Sequence, residues 1–146
     1  MKRDLGDGIE LDDDKARIDR REVHRFLHEE SYWGQGRSRE TQDRLIDEAV
    51  RVVGAYDGSR QIGFCRASSD GVSHVYLADV YVLPAYRGRG VGEALVREIV
   101  EHGPYEHLKW LLHTEDAHPL YRKVGFEDPN YKVMERRSTR NMSESG

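Results

Sequence analysis

At Ala49 the hydrophobic pattern changes from helical spacing to short β-rich runs, and it stays so to Leu83. Ala49–Tyr56 (AVRVVGAY), Gln61–Ser68 (QIGFCRAS) and Ser73–Leu83 (SHVYLADVYVL) are rich in β-branched and aromatic residues. Asp57-Gly58 and Ser69-Asp70-Gly71 separate them, and both carry turn chemistry. Joined so tightly, the three are expected to form an antiparallel meander.

Helical patterns flank this meander. Ile18–Glu30 places Val23, Phe26 and Leu27 on one face. The loop Ser31–Gly36 (SYWGQG) breaks it, and Ser38 is a candidate N-cap for a short helix through Leu45 and Ile46. Pro84 ends the third strand, and a glycine-rich loop, Ala85–Gly92, opens a helix over Val91–His102 that Gly103-Pro104 stops. His107–His113 (HLKWLLH) reads as a fourth strong strand, His118–Val124 as a short helix ended by Gly125, and Tyr131–Arg136 as a last strand. A short edge strand is expected within Gly8–Ile18. This order implies a mixed α/β layered fold. One domain is expected over 1–146, with an ordered core at about 8–137 and a fraying polar tail at 138–146.

The net charge of −4 provides no global field for nucleic acid, so any anion site must be local. A single cysteine, Cys65, forms neither an internal disulfide nor a cysteine-rich metal site, and inside an apolar strand it reads as a small buried hydrophobe. No metal is expected. No apolar run spans a bilayer, and MKRDLGDGIELDDDK at the start lacks the apolar stretch of a secretory signal. A cytoplasmic protein without membrane attachment is expected.

Val80–Val96 (VYVLPAYRGRGVGEALV) carries the chemistry. Gly88, Gly90 and Gly92 remove side chains beside a helix start, where free backbone N–H groups and the helix dipole favour phosphate oxygens. Arg87 and Arg89 add local charge. The spacing is not that of the nucleotide P-loop, and Glu93 stands where a dinucleotide fingerprint needs glycine or alanine. Read alone, three alternate glycines could equally be a plain strand-to-helix turn.

In context, Arg87-Gly88-Arg89-Gly90-Val91-Gly92 resembles the acetyl-CoA motif, Arg/Gln-x-x-Gly-x-Gly/Ala, of the GCN5-related N-acetyltransferase (GNAT) superfamily. Leu120-Tyr121-Arg122-Lys123-Val124-Gly125-Phe126 is similar to that family's Leu-Tyr-x-x-x-Gly-Phe segment. The resemblance covers roughly residues 8 to 137. It implies a central mixed, mostly antiparallel sheet split by a bulge and flanked by about four helices. It further implies that main-chain groups of Val80, Tyr81 and Val82 pair with pantetheine, while the amides of Arg87, Gly88, Arg89, Gly90, Val91 and Gly92 hold the pyrophosphate. The reaction implied is direct attack of a small-molecule or protein amine on acetyl-CoA, without a metal and often in a homodimer. A catalytically silent acyl-CoA sensor is the alternative.

By that resemblance Tyr121 is the acid for the departing thiolate, against a reading as a packing residue. Asp79, a carboxylate inside a core strand, either contacts the incoming ammonium or a relay water with a raised pKa, or is satisfied by a neighbouring arginine. Tyr76 stands where some relatives carry a glutamate. His113 and His118 read first as surface or capping residues and second as relays, and Asp116 is a candidate N-cap. Phe26, Tyr32 and Trp33 either wall the acceptor pocket or cap the core.

Overall fold

The computed structural model describes residues 1–31, 33–115 and 118–140, with His118 described by its backbone alone. A six-stranded sheet runs in sequence order: β1 (Lys2–Gly6), β2 (Ile9–Asp12), β3 (Arg51–Asp57), β4 (Arg60–Ser69), β5 (His74–Val82) and β6 (Lys109–Leu111). Neighbours are antiparallel except β5 and β6, which are parallel because a helix crosses between them. The expected meander is β3–β4–β5.

Among the described residues, four α-helices flank the sheet: α1 (Arg20–Glu30), α2 (Arg39–Glu48), α3 (Val91–Glu101) and α4 (His118–Arg122). Asp19 caps α1 by accepting from Glu22 N–H at 3.1 Å, and Ser38 caps α2 by accepting from Thr41 N–H at 3.0 Å. The α1 stripe of Val23, Phe26 and Leu27 is buried, each such side chain contributing about 1.5–3 kcal/mol of transfer free energy. Alternation in β4 sorts its side chains to two faces. Phe64 lies beside Tyr81, whose ring stacks on Phe26 of α1 at 4.1 Å between centroids. Gly63 and Cys65 face α3: a Cβ at Gly63 would meet Leu95 at 3.0 Å, and Cys65 Sγ lies 3.8 Å from the Leu95 carbonyl. The core is therefore two layers, α1 on one face and α3 on the other.

Two expected elements differ. The chain start is a hairpin, with strand structure from Lys2 rather than a single strand within Gly8–Ile18. Glu98 of α3 holds it down, pairing with Arg3 of β1 and accepting through its side chain and carbonyl from Arg51 of β3. The signal was electrostatic, and hydrophobic patterning does not see it. The Tyr131–Arg136 strand does not form. β6 spans three residues instead of His107–His113, which leaves little ladder for another strand to join, and Tyr131, Val133 and Met134 remain exposed.

Candidate active site

The sheet opens where β5 and β6 part. Their pairing covers His74–Tyr76 with Lys109–Leu111 and stops there. On the other side of β5 the register with β4 shifts, from Arg66 opposite Ala78 to Phe64 opposite Tyr81, so Asp79 and Val80 together oppose Cys65. This is the expected bulge. Asp79 sits in it at φ 56°, a left-handed conformation that aspartate tolerates better than most residues. Beyond the bulge, Leu83 N–H donates to the Ile62 carbonyl at 2.8 Å. Leu83 and Tyr81 thus face β4, and alternation turns the main-chain groups of Val80 and Val82 toward the side where β6 no longer runs.

A 3₁₀ turn, Pro84–Tyr86, leads from β5 into the glycine-rich loop. Gly88 and Gly90 have φ of 80° and 79°, and a Cβ on either would meet nothing within 4 Å. The backbone therefore needs glycine there, and its outer face is open to a ligand. The first bond across the start of α3 runs from Ala94 N–H to the Gly90 carbonyl, which leaves the amides of Val91, Gly92 and Glu93 ahead of the helical ladder. Gly90 supplies no side-chain cap to compete for them. Arg87 Nε donates to the Val82 carbonyl at 3.0 Å, fixing that charge beside the strand end. Arg89 and Arg60 approach the Tyr86 ring at 5.2 and 5.8 Å. A cleft of about 620 Å³ extends from this loop past Val80–Val82 to Trp33 and Tyr121. Open glycines, unclaimed amides and adjacent guanidiniums suit a diphosphate, and the splayed strand suits an extended polar chain.

A second cavity, of about 480 Å³, lies on the other side of the bulge. Arg37, Arg66, Tyr76, Asp79 and His113 line it, and Trp33, Val80 and Tyr121 line both cavities. Asp79 Oδ1 accepts from Trp33 Nε1 at 3.0 Å and from Arg37 Nη1 at 3.0 Å; Oδ2 accepts from Arg37 Nη1 at 2.9 Å and from Arg66 Nε at 2.6 Å. Burial pushes the Asp79 pKa up, but Arg66 and Arg37 outweigh it and hold the carboxyl below its usual range. The raised pKa expected for a desolvated base is not found, because two cations reach the carboxylate. Tyr76 Oη lies within hydrogen-bond distance of His113 Nδ1 on the same cavity wall.

The other expected residues divide. Trp33 is half-exposed at the junction of the cavities. Phe26 is buried against Tyr81 and lines the cleft beside the glycine-rich loop, not the second cavity. Tyr81 is itself a core ring, with Oη 3.3 Å from Gln61 Nε2. Tyr121 meets Phe126 edge-on at 5.9 Å while lining both cavities. Tyr32 and Asp116 lie outside the described residues, as does the His118 side chain. Cys65 is buried, and burial pushes its thiol up to about 12, which suits a core residue and not a nucleophile. Sequence reasoning missed Arg37 and Arg66. Arg66 was within reach of a register argument, since it pairs with Ala78 beside Asp79. Arg37 carried no such signal, because only the folded loop brings it there.

The profile of the Acetyltransferase (GNAT) family matches residues 20–126, well over half the chain. The chain belongs to this family. Among its GNAT relatives, the N-alpha-acetyltransferase RimI of Mycobacterium tuberculosis is 34% identical over 80 residues, covering 51% of this chain and 51% of that protein. The mycothiol acetyltransferase of Corynebacterium diphtheriae is 32% identical over 90 residues, covering 56% of this chain and 27% of that protein. The chain thus spans about half or less of the length of these curated relatives. A crystal structure of a GNAT-family protein from Xanthomonas campestris superposes with a TM-score of 0.83 at 33% identity, covering 89% of this chain and 93% of that one. A Clostridium acetobutylicum structure described with acetyl-CoA shares the fold alone, at TM-score 0.66 and 15% identity over 88% of this chain and 96% of that one. Among the described residues, no cluster of three or more His, Cys, Asp or Glu is placed to hold a metal, and no helix is long and apolar enough to cross a membrane.

Proposed function

We propose that this GNAT protein is an N-acetyltransferase that moves the acetyl group of acetyl-CoA to an amine. The observation that supports it most is the meeting of two cavities, one built for a diphosphate and one lined by charged groups, at Trp33, Val80 and Tyr121. Acetyl-CoA supplies an activated thioester, whose acyl carbon the amine attacks while the thiolate leaves. The amides at the start of α3 hold the diphosphate, and the turned-out main-chain groups of Val80 and Val82 direct the arm toward the junction. Tyr121, at that junction, hands a proton to the departing sulfur; a phenol of ordinary pKa about 10 lies just above a thiol and suits the step. Asp79 acts as a positioning anion that fixes Trp33, Arg37 and Arg66, while the Tyr76–His113 pair receives the amine proton from the acceptor side.

Thiol release from acetyl-CoA is the direct test, run against amino acids, polyamines, peptides and other amines. Tyr121→Phe is expected to slow turnover about 10²-fold or more while leaving CoA affinity unchanged. Unaltered turnover in that variant would remove Tyr121 from the chemistry. Absence of any calorimetric heat with millimolar CoA would sink the proposal as a whole.

A further inference from the structure

The acceptor cavity has more cationic hydrogen-bonding capacity than its own carboxylate can use. Arg37 and Arg66 are nearly closed to solvent, with side-chain exposures of 12% and 11%, and both pair with the fully buried Asp79. One anion therefore stands between two cations. Asp79 is also saturated: its two oxygens already take four hydrogen bonds, one of them from Trp33. Arg37 uses only Nη1, toward Asp79 and Gln42, and Arg66 uses only Nε. Among the described residues, Arg37 Nε and Nη2 and Arg66 Nη1 and Nη2 meet no acceptor. Nor are these nitrogens sealed away, since among the described residues the fully buried side-chain polar atoms lacking a partner are Gln42 Nε2 and Tyr56 Oη. Both arginines line the cavity that also holds Tyr76 and His113. Glu115 lines it too, but it is exposed, where water and salt screen its charge more than that of the largely buried guanidiniums.

We propose that the acceptor amine also carries a carboxylate, and that Arg37 and Arg66 together recognise it. A guanidinium presents paired N–H groups that match the two oxygens of a carboxylate, and a half-desolvated site makes that match discriminating. Asp79 is then a scaffold: it neutralises one of the two cations and orients both, leaving one net positive charge for the substrate. This rests on the acetyl-transfer reading, because it assigns the second cavity to the acceptor.

The experiment compares matched pairs. A panel of α- and ω-amino acids and the corresponding primary amides is assayed for thiol release from acetyl-CoA. The same compounds are titrated calorimetrically into protein saturated with CoA. At least one acid is expected to be acetylated about a hundred-fold more efficiently than its own amide, the order expected for losing a charge-assisted hydrogen bond. Arg66→Gln is expected to bring that ratio to near one. Because acid and amide are compared on the same variant, a loss of folded protein cancels from the ratio. Amides that react as well as acids, with thiol release intact, overturn the carboxylate assignment and leave acetyl transfer standing. Failure of every acid to bind the CoA-loaded protein overturns it as well. Failure of CoA itself to bind strikes instead at the acetyl-transfer reading.

Discussion

Asp79 is held by its backbone and its charge at once. A non-glycine residue at φ 56° carries a strain of order 1–3 kcal/mol, and four hydrogen bonds from Trp33, Arg37 and Arg66 keep it in place. Asp79→Asn retains a side chain that tolerates this conformation but removes the charge, leaving two largely buried guanidiniums uncompensated. At pH 7 the variant is expected to lose about 3–5 kcal/mol in urea unfolding. The pH dependence follows from the sign of the shift. The folded-state pKa lies below the unfolded value, so the carboxylate's contribution is complete above the ordinary range near 3.8. It is lost as pH falls through the lower folded value. The gap between wild type and Asp79→Asn should therefore be constant from pH 7 to 5 and close below about pH 4. A gap that widened on acidification would contradict this. Sequence made Asp79 conspicuous, but the arginines that decide its charge came from another strand and another loop.

Among the elements, the loop before α3 and the turn after α1 do different work. Gly90 is the left-handed entry to α3, and its missing side chain leaves the anion face open. Gly90→Val is expected to weaken CoA binding at least ten-fold by calorimetry, since it strains the turn and covers the amides. Gly34 is constrained by proximity instead: a Cβ there would lie 2.7 Å from Leu27 Cβ and 2.9 Å from the Leu27 carbonyl. Ser31 Oγ bridges that carbonyl and Gly34 N–H at 2.6 and 2.9 Å, so the turn that presents Trp33 folds onto the end of α1. Gly34→Ala is expected to raise the acceptor KM more than it changes CoA affinity, because the displaced residue adjoins Trp33. Equal effects on both would show that the turn does not serve the acceptor side. At the other end of the sheet, Arg51→Met leaves buried Glu98 with only the half-exposed Arg3, and should cost about 3–5 kcal/mol of stability. Adding Glu98→Leu should recover most of that loss, since replacing a buried pair by apolar side chains is often close to neutral.

For the molecule as a whole, the groove beside the glycine-rich loop exists because β5 is paired along its first half and splayed along its second. A ligand that fills this opening should couple to global stability. CoA at a hundred-fold excess over its Kd is expected to add about 2.7 kcal/mol and raise the melting temperature by about 5–10 °C; Gly90→Val should show about half that shift or less at the same concentration. The meander, the caps at Ser38, the glycine-rich loop and the four helices were legible in the chain, because each depends on neighbours a few residues away: turn chemistry, hydrophobic spacing, a strained φ. The same local logic overreached at Tyr131–Arg136, where a strand-like pattern found no ladder to join. The carboxylate in β5, the acid candidate and the anion loop could be named from sequence as residues. Their electrostatics could not. Whether Asp79 sits raised or lowered, whether Phe26 faces a cavity or the core, and which cations the second cavity keeps unspent all depend on side chains dozens of positions apart. Local sequence determines the elements through short-range sterics and hydrogen bonding, whereas burial and Coulomb interaction depend on distances that exist only once the chain has closed.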